Sequence, residues 1–316
     1  MYRIEDASFQ GYPARALCSP GDELRATFAT QVGMVGCSLE HEGTELLGHR
    51  GGLARYEAQG STMGIPFLHP WANRLSAYQY EVAGRRVHLD RDSPLIHLDP
   101  KGLPIHGVLA ACPHWRIARA DAEEHHALLS ATLDYGAHAE LLEAFPFPHE
   151  LRMDVHLTAS SLRITTTLTA TGDTPVPVSF GFHPYLQLPD VPRADWHVEL
   201  PVRTRFVLDE RSIPTGATEP VEVAPGPLGD RTFDDGYCDL TDPRTFVLAG
   251  GGRRVELEFL AGYDFAQVYA PPDQDVICFE PMTAATNALV AGGPGLTLVQ
   301  PGKRYEAAFE VRCSRN

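Results

Sequence analysis

Apolar and polar residues alternate with a period of two along several stretches of the chain. Residues 151–157 place Leu151, Met153, Val155 and Leu157 on one side and Arg152, Asp154 and His156 on the other. Successive side chains of an extended chain point to opposite faces, so this pattern predicts a half-buried strand. Residues 162–168 repeat it with threonine-rich outward positions, and residues 159–161 between them read as the turn of an antiparallel pair. After Gly250-Gly251-Gly252, residues 254–259 turn Val255, Leu257 and Phe259 inward and Glu256 and Glu258 outward. Residues 265–269 and 275–279 are more continuously apolar, as central strands are. Residues 296–299 and 305–312 are joined through Pro301-Gly302, a turn pair. Only residues 137–143 suggest a helix, and Pro146 and Pro148 stop it soon after. The proline-rich residues 214–227 read as the longest loop.

Frequent glycine (28) and proline (26) reinforce the picture of many short strands joined by turns. Strands at this density with so little helix predict an all-β sandwich or barrel. The 316 residues could form one large β domain or two ordinary ones. No repeat or linker-like run divides them, so a single domain over residues 1–316 is expected. A net charge of −15 removes any general attraction to nucleic acid or anionic lipid and favours a small neutral ligand. No stretch approaches the ~18 apolar residues of a membrane span. Residues 1–25 carry Glu5, Asp6, Asp22 and Glu23 without the apolar run of a signal peptide. Cys18, Cys37, Cys112, Cys238, Cys278 and Cys313 are scattered, with no CxxC pair, and read as reduced thiols of a cytoplasmic protein. The sequence leaves monomer and homodimer both open.

Five segments hold polar residues for which a β-protein has little structural use. In residues 64–75, two prolines frame an irregular stretch ending near Asn73-Arg74, where a guanidinium beside an amide can hold sugar hydroxyls or a carboxylate. His106-Gly107 joins an imidazole to a residue that permits unusual backbone or close ligand approach. His183-Pro184-Tyr185 sits among aromatics, and an imidazole titrating near a pH of roughly 6.5 can act as acid or base at neutrality. Asp234-Asp235 precedes Tyr237 and suits hydroxyl recognition or a turn equally. Glu280 ends an apolar run, where a carboxylate is costly unless paired or functional. Glu123, Glu124, His125 and His126 form a polar cluster of weak metal-binding character. His41, His49, His69, His88, His97 and His114 lack ligand spacing, so no metal site is expected. No phosphate loop, dinucleotide fingerprint or GxSxG elbow occurs.

In this order, Asn73-Arg74, His106-Gly107, His183-Pro184-Tyr185, Asp234 with Tyr237, and Glu280-Pro281 resemble the aldose 1-epimerase (galactose mutarotase) family. The resemblance spans most of the chain. It implies a large antiparallel β-supersandwich with an open cleft and interconversion of the α and β anomers of a hexose, with no cofactor. It also implies roles. Glu280 would remove the C1 hydroxyl proton, His183 would protonate the ring oxygen, and His106 would hold the same region. Arg74, Asn73, Asp234 and Tyr185 would bind the sugar, with Asp235 an alternative to Asp234.

Three other functions compete with this reading. A hexose-6-phosphate epimerase would need further cationic residues at the cleft, with Arg55, Arg85 and Arg86 placed nearest in sequence to the Arg74 segment. A glycosidase could use Asp234 and Glu280 as its carboxylate pair. A non-catalytic sugar-binding protein could keep the fold without the chemistry.

Overall fold

Extended structure forms where the alternation predicts it, and packing follows from which face each strand buries. The computed structural model describes residues 1–292 and 295–315. Asn316, the last residue of the expected domain, lies outside these, as do Gly293 and Pro294. Strand His149–Leu157 buries every second residue, His149 to Leu157. It pairs antiparallel with Ser161–Ala170, setting Leu151 opposite Leu168 and Val155 opposite Ile164. Strand Arg253–Ala261 likewise buries Val255, Leu257 and Phe259. The expected helix forms over Ala139–Ala144, after a short 3-10 turn, and two further helices that the sequence pattern did not suggest cover Gly52–Gln59 and Ala288–Ala291.

Three antiparallel sheets carry the architecture. The first 45 residues form a five-stranded meander. A nine-stranded sheet runs from an edge at Gly226–Pro227 through Thr245–Gly250, Arg253–Ala261, Arg304–Arg315, Ser161–Ala170 and His149–Leu157 to the other edge at Arg116–Ala122. An eight-stranded sheet is centred on Phe233–Leu240, Phe265–Ala270 and Ile277–Met282. The two larger sheets face each other across a shared core. Phe279 stacks on Phe246 at 5.3 Å, and Phe182 meets Phe309 at 5.1 Å. This is the antiparallel β-supersandwich that the resemblance implies, and it resolves the sandwich-or-barrel choice that the residue pattern left open. All six cysteines are free thiols.

Some expectations require correction. Residues 214–227 are not one long loop: Pro214–Pro220 is an edge strand paired with Val202–Leu208, and Gly226–Pro227 pairs with His197–Glu199. Proline cannot donate to a ladder, which confines it to edges. That position lets a proline-bounded segment be extended here. The strand expected over 275–279 runs over Ile277–Met282, so Glu280 lies within the strand rather than after it. Among the described residues no helix is long and apolar enough to cross a membrane.

Candidate active site

The period-two rule places Glu280. In Ile277–Met282 both faces are buried, but against different partners. Ile277 and Phe279 enter the main core, while Cys278 and Met282 join small separate clusters on the opposite side. Glu280 shares that second side, which lines a cleft. The neighbouring strand follows suit: Gln267 lies opposite Glu280 and Tyr269 opposite Cys278. One strand further, Asp234 lies opposite Tyr269 and Asp235 opposite Val268. The register therefore turns Asp234 toward the cleft, where Gln267 Nε2 donates to its Oδ1 at 2.8 Å. Asp235 takes the other side and accepts from Arg205 Nη1 at 3.2 Å.

The irregular segments form the facing wall. His106 N–H donates to the Asn73 carbonyl at 2.9 Å, and Arg74 bridges Ile105, so the Asn73-Arg74 and His106-Gly107 segments run side by side. His106 and Gly107 both have left-handed backbone, with φ of 65° and 72°. A Cβ on Gly107 would lie 2.1 Å from the His69 carbonyl oxygen, so only glycine fits there. That carbonyl also accepts the Val108 N–H at 2.8 Å. Behind it lies a fully buried imidazole pair. His149 Nδ1–H donates to the Phe147 carbonyl, leaving its Nε2 to accept from His69 Nε2–H at 2.9 Å.

Arg74 is held by acids. Its Nε donates to Asp99 Oδ2 at 2.8 Å, its Nη1 to Asn73 Oδ1 at 3.0 Å, and its Nη2 lies 4.0 Å from Asp234 Oδ2. Asp99 also accepts the Lys101 and Leu103 N–H groups, which fixes the clamp. His183 and Glu280 meet directly, Nε2 to Oε1 at 3.2 Å, and both are almost fully buried. Tyr185 lays its ring parallel to His183 at 4.3 Å and presents its hydroxyl to Thr62 and Arg50. His106 stands edge-on to His183 at 5.4 Å.

Burial governs the charges. It pushes the Glu280 carboxyl well above the usual carboxylate range, with Asp234 adding to the effect and Arg74 opposing it. It pushes His183 well below the usual imidazole value, helped by His106 and Arg50, and lowers His106 to about 3. Both members of the 3.2 Å contact are thus driven toward their neutral forms. Burial works against an ion pair at this contact and favours a carboxylic acid beside a neutral imidazole. Glu280 Oε2, His183 Nδ1 and His106 Nδ1 have no protein partner among the described residues, which buried polar groups rarely tolerate.

Asn73, Arg74, His106, His183, Tyr185, Asp234 and Glu280, the seven residues singled out from the sequence, all line one cavity of about 340 Å³. That volume is within the range of small-molecule sites. Larger hollows of about 500 and 440 Å³ lie elsewhere, and neither is lined by a histidine. The cavity also takes Arg50, Thr62, Gln267 and Tyr269, which the sequence reading missed. Gln267 carried one signal, an amide inside an apolar strand. Arg50 and Thr62 carried none. Arg55, Arg85 and Arg86 lie outside the cavity and bond to Gln59, Thr174 and Glu81.

Among the described residues one trio of potential metal ligands converges, His114, His138 and Glu140, away from this cavity. Its two imidazoles stack at 3.7 Å and 13°, so their in-plane lone pairs do not meet at one point. The Glu123 to His126 cluster is a loop between strands, with His125 and Glu124 extended into solvent.

Residues 33–312 match the family model for aldose 1-epimerase. No curated protein matches the sequence significantly. Among solved structures, a galactose mutarotase-like protein from Clostridium acetobutylicum superposes with a TM-score of 0.87 at 15% identity, covering 100% of this chain and 99% of its own. A Synechocystis sp. PCC 6803 protein gives 0.79 at 22% identity, covering 99% and 100%. The galactose 1-epimerase from Lactobacillus acidophilus NCFM gives 0.76 at 14%, covering 100% and 99%. At such identities these likenesses establish the fold.

Proposed function

The chain belongs to the aldose 1-epimerase family, and from that premise we propose that it is a mutarotase, an isomerase that interconverts the α and β anomers of a hexose. The observation that carries this reading is the direct His183–Glu280 contact, 3.2 Å, in a cavity shared with Arg74, His106 and Asp234. Mutarotation needs one proton taken from O1 and one delivered to the ring oxygen, two atoms bound to the same carbon. A carboxylate and an imidazole in mutual contact can serve both at once.

The proton shared by the pair first moves from Glu280 to His183. Arg74 acts on both ends of this transfer: its charge pulls the Glu280 carboxyl back toward ionisation and opposes the proton on His183. The Glu280 carboxylate then removes the O1 proton while the His183 imidazolium protonates O5. The C1–O5 bond breaks and C1–O1 becomes a carbonyl. Both side chains end neutral, the state their burial favours, so the open-chain sugar is formed as the buried charges vanish. Rotation about C1–C2 offers the other carbonyl face, and the reverse transfers close the ring. The reaction consumes no electrons and transfers no group, so it calls for no cofactor.

In this reading His106, neutral at any physiological pH, bonds the sugar near the ring oxygen. Arg74 and Asp234 bind hydroxyls, with Asn73 and Gln267 holding them in place. Each proton-transfer group is worth ~10²–10⁴-fold in rate. The test is polarimetry on freshly dissolved α-D-glucose and α-D-galactose, with Glu280→Gln and His183→Asn alongside and aryl glycosides as a control for hydrolysis. Faster relaxation lost in both variants supports the reading. Glycoside cleavage, or no acceleration with any sugar, overturns it.

A further inference from the structure

The cavity contains two guanidinium groups in opposite electrostatic situations. Arg74 is neutralised by Asp99 at 2.8 Å and faces Asp234 at 4.0 Å. Arg50 has only neutral partners: its Nη1 donates to Tyr185 Oη at 3.0 Å and to the Thr62 carbonyl at 3.2 Å, and its Nε to Gln274 Oε1 at 3.1 Å. Among the described residues no carboxylate lies within ion-pair distance of it. Three bonds through Nε and Nη1 fix the plane of the group, and Nη2 keeps both of its hydrogens without an acceptor among the described residues. The group is exposed, so an incoming solute can reach it.

We propose that Arg50 receives an anionic substituent of the sugar, a carboxylate or a phosphate ester carried on a carbon remote from C1. The proposal rests on the mutarotase reading and names the substrate class for it. A planar guanidinium held in advance, with free donors and an unneutralised charge, is the arrangement that recognises such oxyanions.

A second observation points the same way. The Arg50 charge acts against protonation of both His183 and His106. With a neutral sugar bound, that opposition remains while His183 must carry the proton for O5. An anion on Arg50 cancels it at the moment the imidazolium is needed. The substrate's own charge thus favours the catalytic protonation state, and the distance from Arg50 to the reacting pair is spanned by one residue, Tyr185, bonded to Arg50 and stacked on His183.

The test compares α-D-galactose, D-galacturonate and D-galactose 6-phosphate in two ways. Mutarotation kinetics are read by polarimetry on the wild type and on Arg50→Gln, which keeps a donor for Tyr185 without the charge. Binding is read by calorimetry on Glu280→Gln with and without Arg50→Gln, which needs no turnover. The expected result is that one or both anionic sugars exceed galactose in kcat/KM and in affinity, and that Arg50→Gln reduces this preference about 10- to 100-fold, the worth of a charge-assisted hydrogen bond. The carboxylate and phosphate arms distinguish which oxyanion the site takes. Equal or better handling of galactose, or a preference untouched by Arg50→Gln, overturns the proposal. Anionic sugars bound through Arg50 but never turned over would leave the subsite standing and sink the mutarotase reading instead.

Discussion

Acidification should destabilise this protein through a pair of residues remote from its surface. His69 and His149 are fully buried, and the bond between their Nε2 atoms requires the accepting ring, His149, to be neutral. Burial lowers His149 from the ordinary 6.5 to about 4 and His69 well below its ordinary value. In the unfolded chain both titrate near their ordinary value. Below it the unfolded chain binds protons that the folded one refuses. The stabilisation is therefore complete above about pH 6.5, falls as pH drops, and for His149 levels off near 4. Linkage gives a loss of about 2 kcal/mol for His149 between roughly pH 7.5 and pH 5, and His69, lowered in the same direction, adds to it. Urea unfolding followed by tryptophan fluorescence at the two pH values measures it. The double variant His69→Leu/His149→Leu should shed at least about 2 kcal/mol of pH dependence. At neutral pH it should lose on the order of 1 kcal/mol, from the orphaned Phe147 carbonyl. Equal pH dependence in the variant and the wild type would refute the argument.

Further outcomes follow from the cleft. Glu280→Gln and His183→Asn should each lower kcat by ~10²–10⁴-fold, and the double variant by little more than either, because the two act on one shared proton. Gly107→Ala should lose about 1–3 kcal/mol in thermal or urea unfolding, and activity with it, since the added methyl meets the His69 carbonyl and cannot rotate away. Asp99→Asn should raise KM about tenfold or more with a smaller change in kcat, because Arg74 loses a charged anchor of the kind worth about 1.5–3 kcal/mol. An unchanged KM would mean that Arg74 does not bind substrate.

The sequence made the central hairpin legible because His149–Leu157 and Ser161–Ala170 each have one wet face. Arg116–Ala122 left no such trace: as an edge strand it buries none of its side chains, and its composition looks like a loop. Pro214–Pro220 was hidden the same way, by prolines that an edge admits. Within the site, Glu280 drew attention because a carboxylate in an apolar run needs a reason. The choice between Asp234 and Asp235 depended on register, which a local pattern cannot supply, and the pairing opposite Tyr269 or Val268 settles which of them faces the cleft. Arg50 and Thr62 are brought to Tyr185 by contacts more than 100 residues long in sequence, beyond the reach of any motif.

The cleft draws on segments from Arg50 to Glu280, and no two neighbouring elements contain enough of it to bind anything. Its walls close only through pairings between distant parts of the chain, such as Phe67–Leu68 with Gly181–Phe182 and Tyr185–Leu186 with Ile277–Met282. Contacts of that span form late, after loop closure has been overcome, so a refolding chain regains its secondary structure well before its ligand affinity. The same geometry makes the site an all-or-nothing object. A chain-terminating mutation before Glu280 leaves no partial catalyst, and recovery of activity reports completion of the whole topology rather than of any one sheet.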